Sequence, residues 1–253
     1  MGLFDALAGG STTAGTLSCW TGDGFERAPW QDVVRDAERM TGGLRRAGVG
    51  RDACVAALLT NTPQTVRGLL GTWLAGGMVA SLPVPVRGTD ATEYERLLLS
   101  ACDRLEPALV ACDAETVDAL PEAARECFPV RTWESFAGSG RAEPSPPGDD
   151  QVAFVQYSSG STSAPKGCML TPRAIEAQIE LLLDLLEPLP EGDTAMSWLP
   201  LSHDMGMFGG LLTPWYYGAS LVLSTPRREQ SRHRNSNHSK TCARDLRHSV
   251  MAT

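Results

Sequence analysis

Six small residues in a row, Ser158-Ser-Gly-Ser-Thr-Ser163, are followed after Ala164 by Pro165, Lys166 and Gly167. Small residues let backbone N–H groups approach an anion closely, hydroxyls add donors, and a lysine at the rim adds a mobile positive charge. Together they suit a polyphosphate. Lys166 is the only lysine among the first 239 residues, although arginines are plentiful. A flexible Ser/Gly linker is the bland alternative. Against it stand the stiff Pro-Lys-Gly ending and the position between an apolar strand and a helix. The stretch is not a Walker A loop, because Lys166 is followed by Gly167 and not by Ser or Thr.

The second chemically active position is His203, the only histidine in the first 232 residues. Ser202, His203 and Asp204 are adjacent, which argues against a hydrolase triad, since neighbouring side chains do not converge. Asp204 has two readings, pocket residue or helix cap. Trp198 and Met205 to Phe208 likewise have two, pocket lining or ordinary core. Seven cysteines are scattered without C-x-x-C spacing, and no Cys/His cluster occurs before residue 227. Sulfur-bound metal is therefore not expected, and free thiols in a reducing cytoplasm are.

These groups need elements to hold them. Val152, Phe154 and Val155 predict a buried strand ahead of the small-residue loop. Thr171 and Pro172 predict an N-cap and first helical position, with the helix carried by Ile175 to Leu186. Upstream, Met1 to Ser18 reads as a loose lead-in and Trp20 to Arg27 as a short hairpin. One helix is predicted over Trp30 to Ala47, ended by Gly48 and Gly50. Strands are expected at Cys54–Thr60, Met78–Val86, Ala108–Cys112 and Val130–Trp133. Helices are expected at Pro63–Leu74, Thr92–Arg104 and Val117–Cys127. After the loop come a strand over Thr194–Leu199, a helix around Gly206–Tyr217 and a strand over Ala219–Leu223. The alternation predicts an α/β fold with largely parallel sheets flanked by helices.

Residues 137–150 hold Gly138, Gly140, Pro144, Pro146, Pro147 and Gly148. The expected division is a first α/β subdomain over 1–140, a linker over 141–150 and a second subdomain over 151–224. Residues 225–253 differ in character. From Arg227 onward there are six Arg and one Lys against Glu229 and Asp245, a local charge of +5 within a net charge of −8. The acidic remainder argues against general nucleic-acid binding, leaving a basic-tail nucleic-acid binder as a minor alternative. Met1–Gly10 lacks the basic segment of a signal peptide, and no apolar run reaches the roughly 20 residues of a membrane span. A cytoplasmic protein is expected.

Tyr157-Ser-Ser-Gly-Ser-Thr-Ser-Ala-Pro-Lys-Gly167 resembles the phosphate-binding signature of the adenylate-forming, or AMP-binding, superfamily. Trp198-Leu-Pro-Leu-Ser-His-Asp-Met-Gly206 resembles the next motif downstream, in the form most similar to fatty acyl-AMP ligases. The two come in the family's order. The resemblance implies a partial N-terminal domain of an adenylate-forming enzyme that joins a carboxylic acid to ATP, releases pyrophosphate and transfers the acyl group to a carrier-protein thiol or CoA. It implies ATP and Mg²⁺ as cofactors. Ser158, Ser159, Gly160, Ser161, Thr162, Ser163, Lys166 and Gly167 are then the phosphate cradle. Lys166 acts electrostatically, and His203 gates the carboxylate between the nucleotide and acyl pockets. Trp198, Asp204, Met205 and Gly206 border the acyl pocket. No metal ligand is assigned. Ser163 stands where the commonest family form has Gly, and Pro172 where a histidine is frequent.

The resemblance runs from about Trp20 to Ser224. Beyond it a reading-frame disruption near Thr225–Arg228 is the expectation, with a natural basic tail as the alternative. A chain lacking the downstream parts is expected to adenylate weakly or not at all. An acyl-CoA synthetase, an amino-acid adenylation domain and a non-catalytic nucleotide-binding or scaffold fragment are the rival readings.

Overall fold

The computed structural model describes residues 2–8, 14–84, 90–157, 166–185 and 194–225. The chain opens with a helix, α1 (Leu3–Ala8), where a loose lead-in was expected. Leu3, Phe4 and Leu7 are buried, and the Phe4 ring lies 5.1 Å from that of Trp73. These few apolar side chains anchor a segment whose composition otherwise favours a coil. Strands β1 (Thr16–Trp20) and β2 (Phe25–Pro29) form the hairpin around the Gly-Asp-Gly turn.

The single helix expected over Trp30–Ala47 is two, α2 (Trp30–Glu38) and α3 (Thr41–Arg46). The reason is tertiary. Gly42 and Gly43 press on residues 139–140, so a Cβ on Gly42 would fall 2.6 Å from the Gly140 carbonyl oxygen. The Gly42 N–H donates to that same oxygen at 2.8 Å.

Strand β3 (Cys54–Ala57) is wholly buried, as a continuous apolar run in a parallel sheet should be. Helix α4 (Pro63–Ala75) starts at Thr62, whose hydroxyl accepts from the Thr65 N–H at 3.1 Å, and ends at Gly76 with φ +100°. Then come β4 (Met78–Ser81), α5 (Ala91–Leu105) and β5 (Leu109–Cys112). The helix expected at Val117–Cys127 is divided by Pro121 into a 3₁₀ turn (Ala114–Ala119) and α6 (Glu122–Cys127). Strand β6 (Val130–Thr132) follows.

Past the Pro/Gly-rich stretch come β7 (Phe154–Tyr157) and then β8 (Gly167–Leu170), a strand that the sequence did not predict. Helix α7 (Pro172–Leu185) is capped by Thr171, whose hydroxyl accepts from the Ala174 N–H at 3.3 Å. Strand β9 (Thr194–Ser197), a π-helix over Met205–Leu212, helix α8 (Thr213–Tyr217) and β10 (Ser220–Leu223) complete the described chain.

Two sheets result. The larger runs β6-β5-β3-β4-β7-β8, parallel throughout except for β8, which pairs antiparallel with β7. The smaller runs β2-β1-β10-β9, with β1, β10 and β9 parallel. This is the expected α/β class. Side chains alternate between faces. Val55, Ala57, Val79 and Phe154 join the large core with Trp30, Trp73 and Trp215. Ala56, Val110 and Cys112 point the other way, against Tyr94 and Leu98 of α5 and Ala124 of α6.

Neither sheet respects the expected division at 141–150. The larger takes β3 to β6 from before it and β7 and β8 from after it, and the smaller combines β1 and β2 with β9 and β10. The intervening segment is fastened down: Arg45 donates to the Glu143 carbonyl at 2.6 Å, and the Ser145 N–H to the Leu74 carbonyl at 2.9 Å. Of the expected non-family tail, 225–253, residues 226–253 lie outside the described residues.

Candidate active site

In open parallel sheets, ligands bind beyond the carboxyl ends of the strands. Here the carboxyl ends of β3, β4, β5 and β7 lead to Asn61, Ser81, Asp113 and Tyr157. The carboxyl end of β9 leads directly into Trp198-Leu-Pro-Leu-Ser-His203.

Asn61 joins the two sheets at this edge. Its Nδ2 donates to the Leu199 carbonyl at 3.0 Å and to the Ser224 carbonyl at 2.7 Å, and its Oδ1 accepts from the Leu201 N–H at 3.0 Å. Asn61 is buried and uses both ends of its amide. Behind it, Asp113 is buried and accepts hydrogen bonds from the hydroxyls of Thr60, Thr62 (2.9 Å) and Thr65 (3.2 and 3.3 Å). Burial pushes the Asp113 carboxyl above the usual carboxylate range, against the pull of the Thr60 and Thr62 hydroxyls. This cluster fixes the turn that carries Asn61.

Ser158, Ser159, Gly160, Ser161, Thr162 and Ser163 lie outside the described residues. The flanks of their loop are placed. Tyr157 pairs with Gly167 as the last rung of β7 and β8, so Lys166, which is exposed, stands at the carboxyl edge of the larger sheet. The interposed β8 makes the predicted strand–loop–helix a hairpin followed by a helix.

His203 is exposed in a tight turn, its N–H donating to the Pro200 carbonyl at 3.0 Å and its carbonyl accepting from the Met207 N–H at 2.8 Å. Gln156 of β7 donates through Nε2 to the Ser202 carbonyl at 2.6 Å, with a longer contact from the Ser81 hydroxyl at 3.5 Å. The His203 turn is therefore held on the same edge as Lys166. Ser202, His203 and Asp204 form no triad-like chain of hydrogen bonds among the described residues. Asp204 takes the capping role, its Oδ1 accepting from the Met205 N–H at 2.7 Å.

Trp198 (52% exposed) and Met205 (53%) present apolar surface in the segment that carries His203, whereas Met207 and Phe208 are core. Gly206 is buried where only glycine fits, since a Cβ would fall 2.0 Å from the Pro200 carbonyl oxygen.

Sequence reasoning missed Asn61, Ser81, Gln156 and Asp113. For Asn61 a signal existed: it is the only asparagine in the first 234 residues, placed between an apolar strand and a Thr-Pro helix start. Among the described residues no group of His, Cys, Asp and Glu could hold a metal ion.

The profile of the AMP-binding enzyme family matches residues 13–243, and the chain belongs to that family. The match reaches past Ser224, where the resemblance was expected to stop. A Mycobacterium tuberculosis protein described only as a ligase, Rv1013, is 30% identical over 200 residues, covering 79% of this chain and 37% of that protein. The 4-hydroxyphenylalkanoate adenylyltransferase of Mycobacterium marinum is 28% identical over 218 residues, covering 81% and 34%. A solved structure from work on the fatty acyl-adenylate ligases of E. coli and L. pneumophila superposes with a TM-score of 0.81 at 23% identity, over 91% of this chain and 43% of that one. The fold is thus that of the N-terminal part of adenylate-forming enzymes. The chain spans well under half the length of these relatives. No described helix is long and apolar enough to cross a membrane.

Proposed function

We propose that the chain contributes the triphosphate cradle and the carboxylate gate of an enzyme that activates a fatty acid as its acyl-adenylate. A carboxylate oxygen attacks the α-phosphorus of ATP, the bond from that phosphorus to the bridging oxygen breaks, and pyrophosphate leaves. The sulfur of a carrier-protein thiol then attacks the acyl carbonyl carbon, the bond from that carbon to the phosphate oxygen breaks, and AMP and the thiol proton leave. Ser158 to Ser163 and Gly167 supply donors to the β- and γ-phosphates, and Lys166 offsets their charge. His203 stands between the phosphates and the acid. Magnesium enters this reading only as the ion that accompanies a polyphosphate.

One observation carries the proposal: the strand ends flanking the loop and the turn bearing His203 meet at one carboxyl edge, joined by the Gln156–Ser202 hydrogen bond. The exposed Trp198, Leu199 and Met205, in the same segment as His203, support an apolar acid. Replacing Lys166 with Ala tests the cradle. ATP affinity, read by titration calorimetry, is expected to fall by about 10- to 100-fold, the worth of a charged hydrogen bond. A folded Lys166→Ala chain with unchanged affinity overturns the reading. Pyrophosphate exchange with fatty, aryl-alkanoic and amino acids is expected to be weak or absent with this chain alone; robust exchange would show the downstream parts to be dispensable and would read the acid class.

A further inference from the structure

We propose that Gln156 is a positioning residue that locks the His203 turn onto the strand feeding the phosphate loop; its role in catalysis rests on the function proposed above. Gln156 lies on the same face of β7 as Phe154, two residues earlier. Phe154 meets Phe208 edge-on, with ring centroids 6.0 Å apart. That face of β7 therefore addresses the His203 segment twice, once through an aromatic contact and once through an amide.

The amide contact falls at a decisive peptide. The carbonyl of Ser202 and the N–H of His203 belong to one rigid plane. Gln156 Nε2 holds the carbonyl side at 2.6 Å, and the Pro200 carbonyl holds the N–H side at 3.0 Å. With both sides held, the imidazole keeps only its own side-chain rotations. Ser81, the register partner of Gln156 on β4, reaches the same carbonyl at 3.5 Å and is too distant to replace it. A donor is required there. Asparagine is one methylene shorter, and an ionised glutamate would set an acceptor against an acceptor. Strand propensity does not explain a glutamine at this position. Only Tyr157 separates it from the loop that starts at Ser158.

The full chain labelled with ¹³Cε1-histidine tests this. The His203 ring resonance is assigned by its loss in His203→Gln. In Gln156→Met the resonance is expected to shift and broaden while the other three histidines keep theirs. In Gln156→Glu it is expected to differ from the wild type at pH 8. That difference should close as the introduced carboxyl protonates and becomes a donor, on the order of pH 5–6 for a half-buried glutamate. Loss of packing alone has no such reversal. A folded Gln156→Met chain with a wild-type His203 signal overturns the proposal, as does a Gln156→Glu difference that is constant with pH. Should the variants fail to fold, the wild type still decides: a nuclear Overhauser contact between the Gln156 side-chain amide and the Ser202–His203 backbone is expected, and its absence overturns the proposal. ATP is then titrated separately. Absence of binding to the wild type overturns the proposed function, and the Gln156 results stand or fall without it.

Discussion

Asp113 shows how a side chain remote from any reacting atom sets the geometry of the candidate site. Its carboxylate gathers the hydroxyls of three threonines around the turn that holds Asn61. Its burial carries a pH signature. The folded carboxyl sits above its ordinary value of 3.8, so between the two values the folded state binds more protons than the unfolded one. The stabilisation from this group is fully present below the unfolded value and is lost as pH rises through the folded one. Asp113→Asn abolishes that dependence. The melting temperature of the wild type minus that of Asp113→Asn is therefore expected to decrease from about pH 4 towards neutrality; a difference that rises over this range contradicts the assignment. Residues of this kind were hidden in the sequence for a physical reason. Lys166 and His203 could be singled out because each is the sole residue of its type in a long stretch. Gln156 acquires its meaning only from a backbone carbonyl 46 residues away.

Glycine at position 206 belongs to the architecture of the turn and the π-helix that follows. The backbone of Pro200 occupies the space that a methyl group would need. Gly206→Ala is expected to lower the unfolding free energy by about 1–3 kcal/mol or more, read from the urea midpoint, and to weaken ATP binding little if the loop itself is undisturbed. Most elements were legible because their patterns are local: the buried run of β3, the Thr-Pro start and Gly end of α4, the alternation of strand and helix. Those that were not depend on distant chain. Strand β8 is an exposed edge whose pairing with β7 spans a nine-residue connection, so Gly-Cys-Met-Leu gave no periodic signal. The break between α2 and α3 answers to residues 139–140, which the apolar spacing of Val33 to Leu44 does not register.

At the scale of the molecule, the Pro/Gly-rich stretch looked like a boundary because composition marks where regular structure stops, not where sheets divide. The strands on its two sides share both sheets. The common core also governs the thiols. Burial pushes Cys19, Cys54 and Cys102 up to about 12 and Cys112 to about 11, whereas Cys127 and Cys168 are exposed. With a thiol reagent at neutral pH and peptide mapping by mass spectrometry, Cys127 and Cys168 are expected to label promptly. The four buried positions should label only at the rate of unfolding; prompt labelling of Cys54 or Cys102 contradicts the packing described.

Strand β1 lies between β2 and β10, and its contacts with β10 join positions 204 residues apart. A ribosome delivers the first of these strands long before the last. Until residues 220–223 emerge, the hairpin at the start of the chain has one flank with no neighbour to bond, the condition under which nascent strands aggregate. Synthesis order and sheet order are opposed here, and strand β1 waits through 204 residues of further synthesis for its parallel neighbour.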